Sequence, residues 1–168
     1  MNNTIILFAS SRRNGNTGKL TDRIAKELGV EIVDLGKLQL SPFDYDHKNR
    51  GDDFEPLMDR VFEYNNIIFA SPIYWYSVAP AMKIFIDRIS DYLDLPDLLE
   101  KGRLLRGKKG YVICTCISDL PDEPFINAFK NTFEYLGMEF GGYINANCID
   151  DYKESLYESD IQSFLQGF

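Results

Sequence analysis

Residues 10–17 read SSRRNGNT, a run of hydroxyl, amide and guanidinium side chains around one glycine. An apolar stretch, 4–9, precedes the run, and a helical pattern begins near Gly18. A strand that stops in small polar residues and restarts as a helix leaves backbone N–H groups unpaired. Together with the positive end of the helix dipole, those groups attract an anion. Ser10, Ser11, Asn16 and Thr17 can add side-chain donors, Gly15 permits close backbone approach, and Arg12 or Arg13 can neutralise charge. The chemistry expected is phosphate binding. Ser and Asn before a helix serve equally as caps and turn formers, so both readings stand on this stretch alone.

The second unusual stretch is 71–80, SPIYWYSVAP, where Tyr74, Trp75 and Tyr76 stand in a row between Pro72 and Pro80. Three aromatics in a loop stiffened by prolines make a flat apolar wall. They are equally the residue types of a core or a subunit interface. A ligand with a phosphate at one end and a planar ring at the other would use both stretches, provided the fold brings them together.

Short apolar runs alternate with amphipathic stretches along the chain. Strands are expected at 4–9, 30–35, 66–70, 111–117 and about 140–146. Helices are expected at about 18–28, 54–64, 78–92, 124–136 and 154–165, with Gly29 and Gly137 as stops. The connection 41–53 is long, polar and rich in Asp, hence a candidate functional loop. A βα alternation with right-handed crossovers implies an α/β three-layer sandwich in which a parallel sheet has helices on both faces. Strand order 2-1-3-4-5 would open a crevice between strands one and three, where 10–17 and 71–80 emerge. The whole chain, 1–168, fits one domain.

Composition narrows the partners. The formal charge of −8 argues against a broad nucleic-acid or anionic-membrane surface. The apolar run at 4–9 is too short, and lacks the basic leader, for a signal peptide or membrane span, so a cytoplasmic location is expected. Cys114, Cys116 and Cys148 have no C-x-x-C spacing, which disfavours a disulfide framework or a metal site. They are expected to be reduced and buried, a redox pair at 114 and 116 being the alternative. His47 reads as a solvated side chain or, alternatively, a proton donor. Lys83 and Asp87 read as an exposed helix pair. No catalytic Ser/His/Asp set or carboxylate pair stands out.

The segment 9–17, and SPxYWYSxxxxxKxFxDR at 71–88, resemble the flavodoxin-like NAD(P)H-dependent FMN reductase family, as does YLGM at 135–138. The resemblance implies that Ser10, Arg12, Asn16 and Thr17 hold the FMN phosphate. It places Pro72, Ile73, Tyr74 and Trp75 along the isoalloxazine ring, and 116–119 as a third flavin-facing loop contributing Cys116 and Ser118. The Cys-Ile-Ser-Asp of that loop departs from the Gly-rich form common in the family. Iron–sulfur relatives carry clustered cysteines where this chain has Phe43, Asp44, Tyr45, Asp46 and His47, so no cluster is expected. The implied reaction is ping-pong hydride transfer from transient NAD(P)H to FMN and on to a small acceptor such as a quinone, azo dye, nitroaromatic or free flavin. The resemblance also implies a homodimer or tetramer, with Tyr74 to Tyr76 and 44–53 as partner surfaces and Arg88 bridging to a neighbour. The alternatives are an FMN electron carrier without reductase activity, and a protein that kept the fold and lost the flavin.

Overall fold

The computed structural model describes residues 3–118, 121 and 123–168. Five strands, β1 (Thr4–Phe8), β2 (Ile32–Asp34), β3 (Asn66–Pro72), β4 (Lys109–Cys116) and β5 (Glu139–Asn147), form one parallel sheet of order β2-β1-β3-β4-β5. This is the flavodoxin-like order expected from the alternation. Among the described residues no helix is long and apolar enough to cross a membrane.

The two faces of the sheet are sorted by side-chain parity. Ile5, Leu7 and Ala9 point to one face and pack under α2 (Phe54–Val61), α3 (Pro80–Arg88) and α6 (Glu123–Tyr135). Ile6 and Phe8 point to the other, beneath α1 (Asn16–Leu28) and α7 (Glu158–Leu165). Burial on both faces explains why β1 and β3 read as unbroken apolar runs. Gly29 ends α1 in the left-handed region at φ 66° and donates its N–H to Ala25 O, as a stop glycine should.

Several expected boundaries shift for local reasons. The helix expected at 78–92 is broken: α3 stops at Arg88, and a single turn, α4 (Asp91–Asp94), follows. The junction tightens because Ile89 and Ser90 donate to carbonyls three residues back, while Arg88 Nε clamps Asp91 at 2.6 Å. The basic segment 101–110 takes in the end of α5 (Leu99–Gly102), a 3-10 turn (Arg103–Leu105) and the start of β4. A 3-10 turn (Glu154–Leu156) likewise precedes α7, so the closing helix is shorter than expected. Strand β3 runs on to Pro72, past the expected end at Ala70.

The loop 41–53 covers a buried charge. Arg88 is fully buried, with Nη1 on Asp52 at 2.7 Å and on Ser41 O at 3.1 Å, and its guanidinium lies 4.6 Å from the Phe54 ring centroid. An intersubunit role for Arg88 is therefore excluded: the side chain points into its own core. His47 is not solvated either, because its Nδ1 lies 3.0 Å from Asp91 Oδ1 in the same cluster. Lys83 and Asp87 do form the expected exposed pair, at 2.6 Å.

Candidate functional site

At the C-terminal edge of the sheet, where β1 and β3 lead to opposite faces, a crevice of about 580 Å³ opens. Ser10, Arg12, Asn16 and Thr17 line one wall, Pro72, Ile73, Tyr74 and Trp75 another, and Cys116 and Ser118 a third. The structure thus brings these expected residues together, while Ser11 and Arg13, also offered by the polar run, are not among those lining the crevice. Asp119, also in the third loop, lies outside the described residues.

The polar wall is built by the start of α1. Gly15 occupies the capping position, and no side-chain cap closes the helix end among the described residues. The N–H groups of the first turn are therefore left for a ligand or solvent. Neither Ser10 nor Thr17 acts as the cap. Ser10 Oγ accepts from Arg12 N at 3.4 Å, while Thr17, the second residue of α1, is 2% exposed with its hydroxyl 2.7 Å from that of Thr115 on β4. The glycine that the turn cannot do without is Gly18: an added Cβ would fall 1.8 Å from Arg13 O, against 3.2 Å from Arg12 O for one at Gly15.

The two arginines part company here. Arg13 forks onto Asp22, with Nη1 3.1 Å from Oδ2, and stacks 4.9 Å from the Phe8 ring centroid. Arg12 lines the crevice and forms no ion pair among the described residues. Beside it, Lys19 is held by Asp151 at 3.1 Å; the Tyr152 N–H and Lys19 keep that carboxyl below the usual range.

The aromatic wall is a tight hairpin that sequence did not reveal. Tyr74 N donates to Ser77 O at 2.8 Å and Ser77 N to Tyr74 O at 3.0 Å, leaving Trp75 and Tyr76 as the two turn residues. Both are left-handed, at φ 48° and 64°, the conformation of a I′ turn normally built from Asn and Gly. Strain of this sort is kept where the surroundings impose it, and it holds Trp75 93% exposed over the crevice. A core role for Trp75 is thereby excluded. Desolvation pushes the Tyr74 phenol up, but hydrogen bonds with Ser11 and Ser10 and the Arg12 charge outweigh it, so its pKa falls below the ordinary tyrosine value. Those contacts tie the aromatic loop to the polar one.

Thr115, Ile117 and Cys148 also line the crevice, and sequence reasoning did not select them. Cys148 follows the edge strand and arrives beside Cys116 only through the β4–β5 register, its N–H donating to Cys116 O at 2.7 Å. Only Cys114 is fully buried; Cys116 and Cys148 are half-buried because they stand where the sheet opens. Burial pushes the Cys148 thiol up to about 11 and the Cys114 thiol higher still, so neither is a thiolate at neutral pH.

A phosphate-bearing planar cofactor fits these donors. The helix start and Arg12 suit a phosphate, Tyr74 and Trp75 suit a ring, and the volume lies within the roughly 300–1,000 Å³ of small-molecule sites.

A family profile described as NADPH-dependent FMN reductase matches residues 3–142. YwqN of Bacillus subtilis (strain 168), whose name describes an NAD(P)H-dependent FMN-containing oxidoreductase, is 29% identical over 147 residues, covering 83% of this chain and 81% of its own. Among solved structures, the Trp repressor binding protein of Bacillus subtilis superposes with a TM-score of 0.77 at 23% identity, covering 98% of this chain and 96% of its own. An NADPH-quinone reductase of P. pentosaceus gives a TM-score of 0.70 at 13% identity, over 99% and 96% of the two chains.

Proposed function

The chain belongs to the NADPH-dependent FMN reductase family, and from that premise we propose that its FMN occupies the crevice between the α1 start and the Tyr74–Ser77 hairpin. The protein is an FMN-dependent NAD(P)H oxidoreductase. The observation carrying the assignment of the site is that a helix start without a side-chain cap and Arg12, which has no ion pair among the described residues, share one crevice with an exposed aromatic hairpin.

In this reading the first-turn N–H groups of α1 and Arg12 hold the phosphate, with Ser10 and Asn16 as further donors. Thr17 contributes through its backbone N–H, and through its hydroxyl when Thr115 is the donor of their shared bond. Pro72, Ile73 and Tyr74 lie along the ring, and Trp75 flanks it. Cys116 and Ser118 complete the third side. FMN held there would supply the redox chemistry, two-electron transfer from a nicotinamide to a second substrate. NAD(P)H and a small acceptor would alternate over the same crevice, a ping-pong cycle that fits the presence of one such site between the polar and aromatic loops. The protein's work is positional: it fixes the ring and shapes the approach.

We read 1–168 as one FMN-binding domain acting in the cytoplasm, and as a homodimer in which the exposed Trp75 and Tyr76 adjoin the partner. Light scattering should then return about twice the 19.3 kDa chain mass; the monomer mass at working concentration would refute the dimer. The test of function is to load the protein with FMN, mix it anaerobically with NADPH or NADH, and follow flavin absorbance before and after adding a quinone. Bleaching by the nicotinamide followed by recovery with the quinone is expected. Flavin that neither nucleotide bleaches would leave an electron carrier, and failure to take up FMN would sink both flavin readings.

A further inference from the structure

The crevice does not end at the hairpin. Tyr76 lines it on one side and, on the other, a smaller cavity of about 110 Å³ between α3 and α6. The walls of that cavity are Val78, Ile86, Phe125, Ala128 and Phe129. Of its polar neighbours, Thr132 donates its hydroxyl to Ala128 O at 2.8 Å and Lys83 Nζ is held by Asp87 at 2.6 Å, while Ser77 stands at the hairpin end of the cavity. Ile86 and Thr132 are shared in turn with a wider depression of about 350 Å³ flanked by Leu93 and Tyr135, both exposed. A furrow therefore leads away from the site along the α3–α6 seam, mainly apolar in its first cavity and edged by Asp87, Ser90 and Asn131 in the wider depression. Water held in the first cavity finds few partners, so an apolar chain would displace it favourably there.

We propose that this furrow receives the alkyl or prenyl substituent of a quinone whose ring is reduced in the crevice, making a tailed quinone the preferred acceptor. The inference rests on the flavin reading above. Its occupant follows from continuity: the shared residue is Tyr76, beside the ring-binding hairpin, so a substituent on a ring under Trp75 has the furrow as its apolar exit. At about 30 Å³ for each water-sized unit, the first cavity has room for roughly four, so it suits a short branched substituent and not a second ring. The quinone ring gains one hydride from the reduced flavin and one proton from solvent, giving the hydroquinone, and the tail is unchanged. Each methylene buried in the furrow should raise kcat/KM about fourfold, from the usual transfer free energy of a CH₂.

The test uses the FMN-loaded protein with NADPH and two ring-matched acceptors, a methylated naphthoquinone with and without a five-carbon prenyl substituent. The readout is the ratio of their kcat/KM values. A ratio above tenfold is expected for the natural sequence, falling to about one in Ala128→Phe, which fills the cavity from an exposed position on α6. If that variant does not retain flavin, Ala128→Leu fills the cavity more gently and should lower the ratio in the same direction. A ratio near one in the natural sequence, or a high ratio untouched by either variant, overturns this inference alone. A ratio near one together with an Ala128→Phe protein that falls from dimer to monomer would assign the furrow to a second copy of the chain. Absence of any nicotinamide-driven reduction overturns the underlying reading and this inference with it.

Discussion

Arg12 and Arg13 are neighbours of identical chemistry, yet the fold separates their roles. Arg13 is spent on Asp22 and Phe8, while Arg12 is left facing the crevice. Arg12→Ala should weaken FMN binding by about 10–100-fold, the worth of a charge-assisted hydrogen bond, and leave the unfolding midpoint of the flavin-free protein in place. Arg13→Ala should do the reverse, and a flavin titration beside a melting curve distinguishes them. Thr17 carries a different expectation, because its hydroxyl partners that of Thr115 in a buried position. Thr17→Val leaves Thr115 without that partner and should cost about 1–2 kcal/mol in denaturant unfolding of the flavin-free protein. Among the buried charges, desolvation raises the Asp52 carboxyl, but the N–H groups of Ser41 and Phe54 and the Arg88 guanidinium pull it below its ordinary 3.8. A carboxyl depressed in the folded state stabilises fully above its unfolded value and loses that contribution as pH falls through the folded one. Asp52→Asn should therefore be less stable than the natural protein by about 3 kcal/mol at pH 7. The gap should narrow progressively as pH falls below about 4, and melting curves across that range would expose a constant gap if the pairing is wrong.

Two elements position the site, and each depends on a backbone feature. The polar turn wraps over α1 because Gly18 has no side chain to strike Arg13 O. Gly18→Ala should cost about 3 kcal/mol and lower flavin affinity with it, whereas Gly15→Ala, at φ −74° and with a looser neighbour, should leave the melting temperature nearly unchanged. The hairpin works in the opposite sense, since it holds Trp75 and Tyr76 in a conformation that suits neither. Replacing the pair with Asn-Gly should relieve about 1 kcal/mol and raise the melting temperature by roughly 2–4 °C. The same replacement should reduce kcat/KM for NAD(P)H, because the aromatic wall is gone. A variant that gains no stability would show that the turn is not strained.

For the molecule as a whole, a ligand that binds only the folded chain adds stability by mass action. FMN at 100 times its dissociation constant contributes about 2.7 kcal/mol, a rise in melting temperature of roughly 5–10 °C for a chain of this size. Riboflavin, which lacks the phosphate, should give a much smaller rise if the α1 start and Arg12 carry the affinity; equal rises would move the anchor to the aromatic loop. The parallel sheet and its order were legible in the sequence, because apolar runs in β1 and β3 and glycine stops such as Gly29 are local signals that topology rules turn into a fold. The residues around the crevice were legible too, since small polar residues before a helix and an aromatic run after a buried strand advertise themselves by type. What the sequence could not carry was pairing at a distance. The choice of Arg12 over Arg13 needs Asp22 and Phe8 in place, the burial of Arg88 needs the folded loop 41–53, and Cys148 reaches the crevice only through the β4–β5 register. The hairpin at Trp75 and Tyr76 hid for a related reason: its left-handed backbone is imposed by the anchored ends of the loop against the preference of the residues themselves.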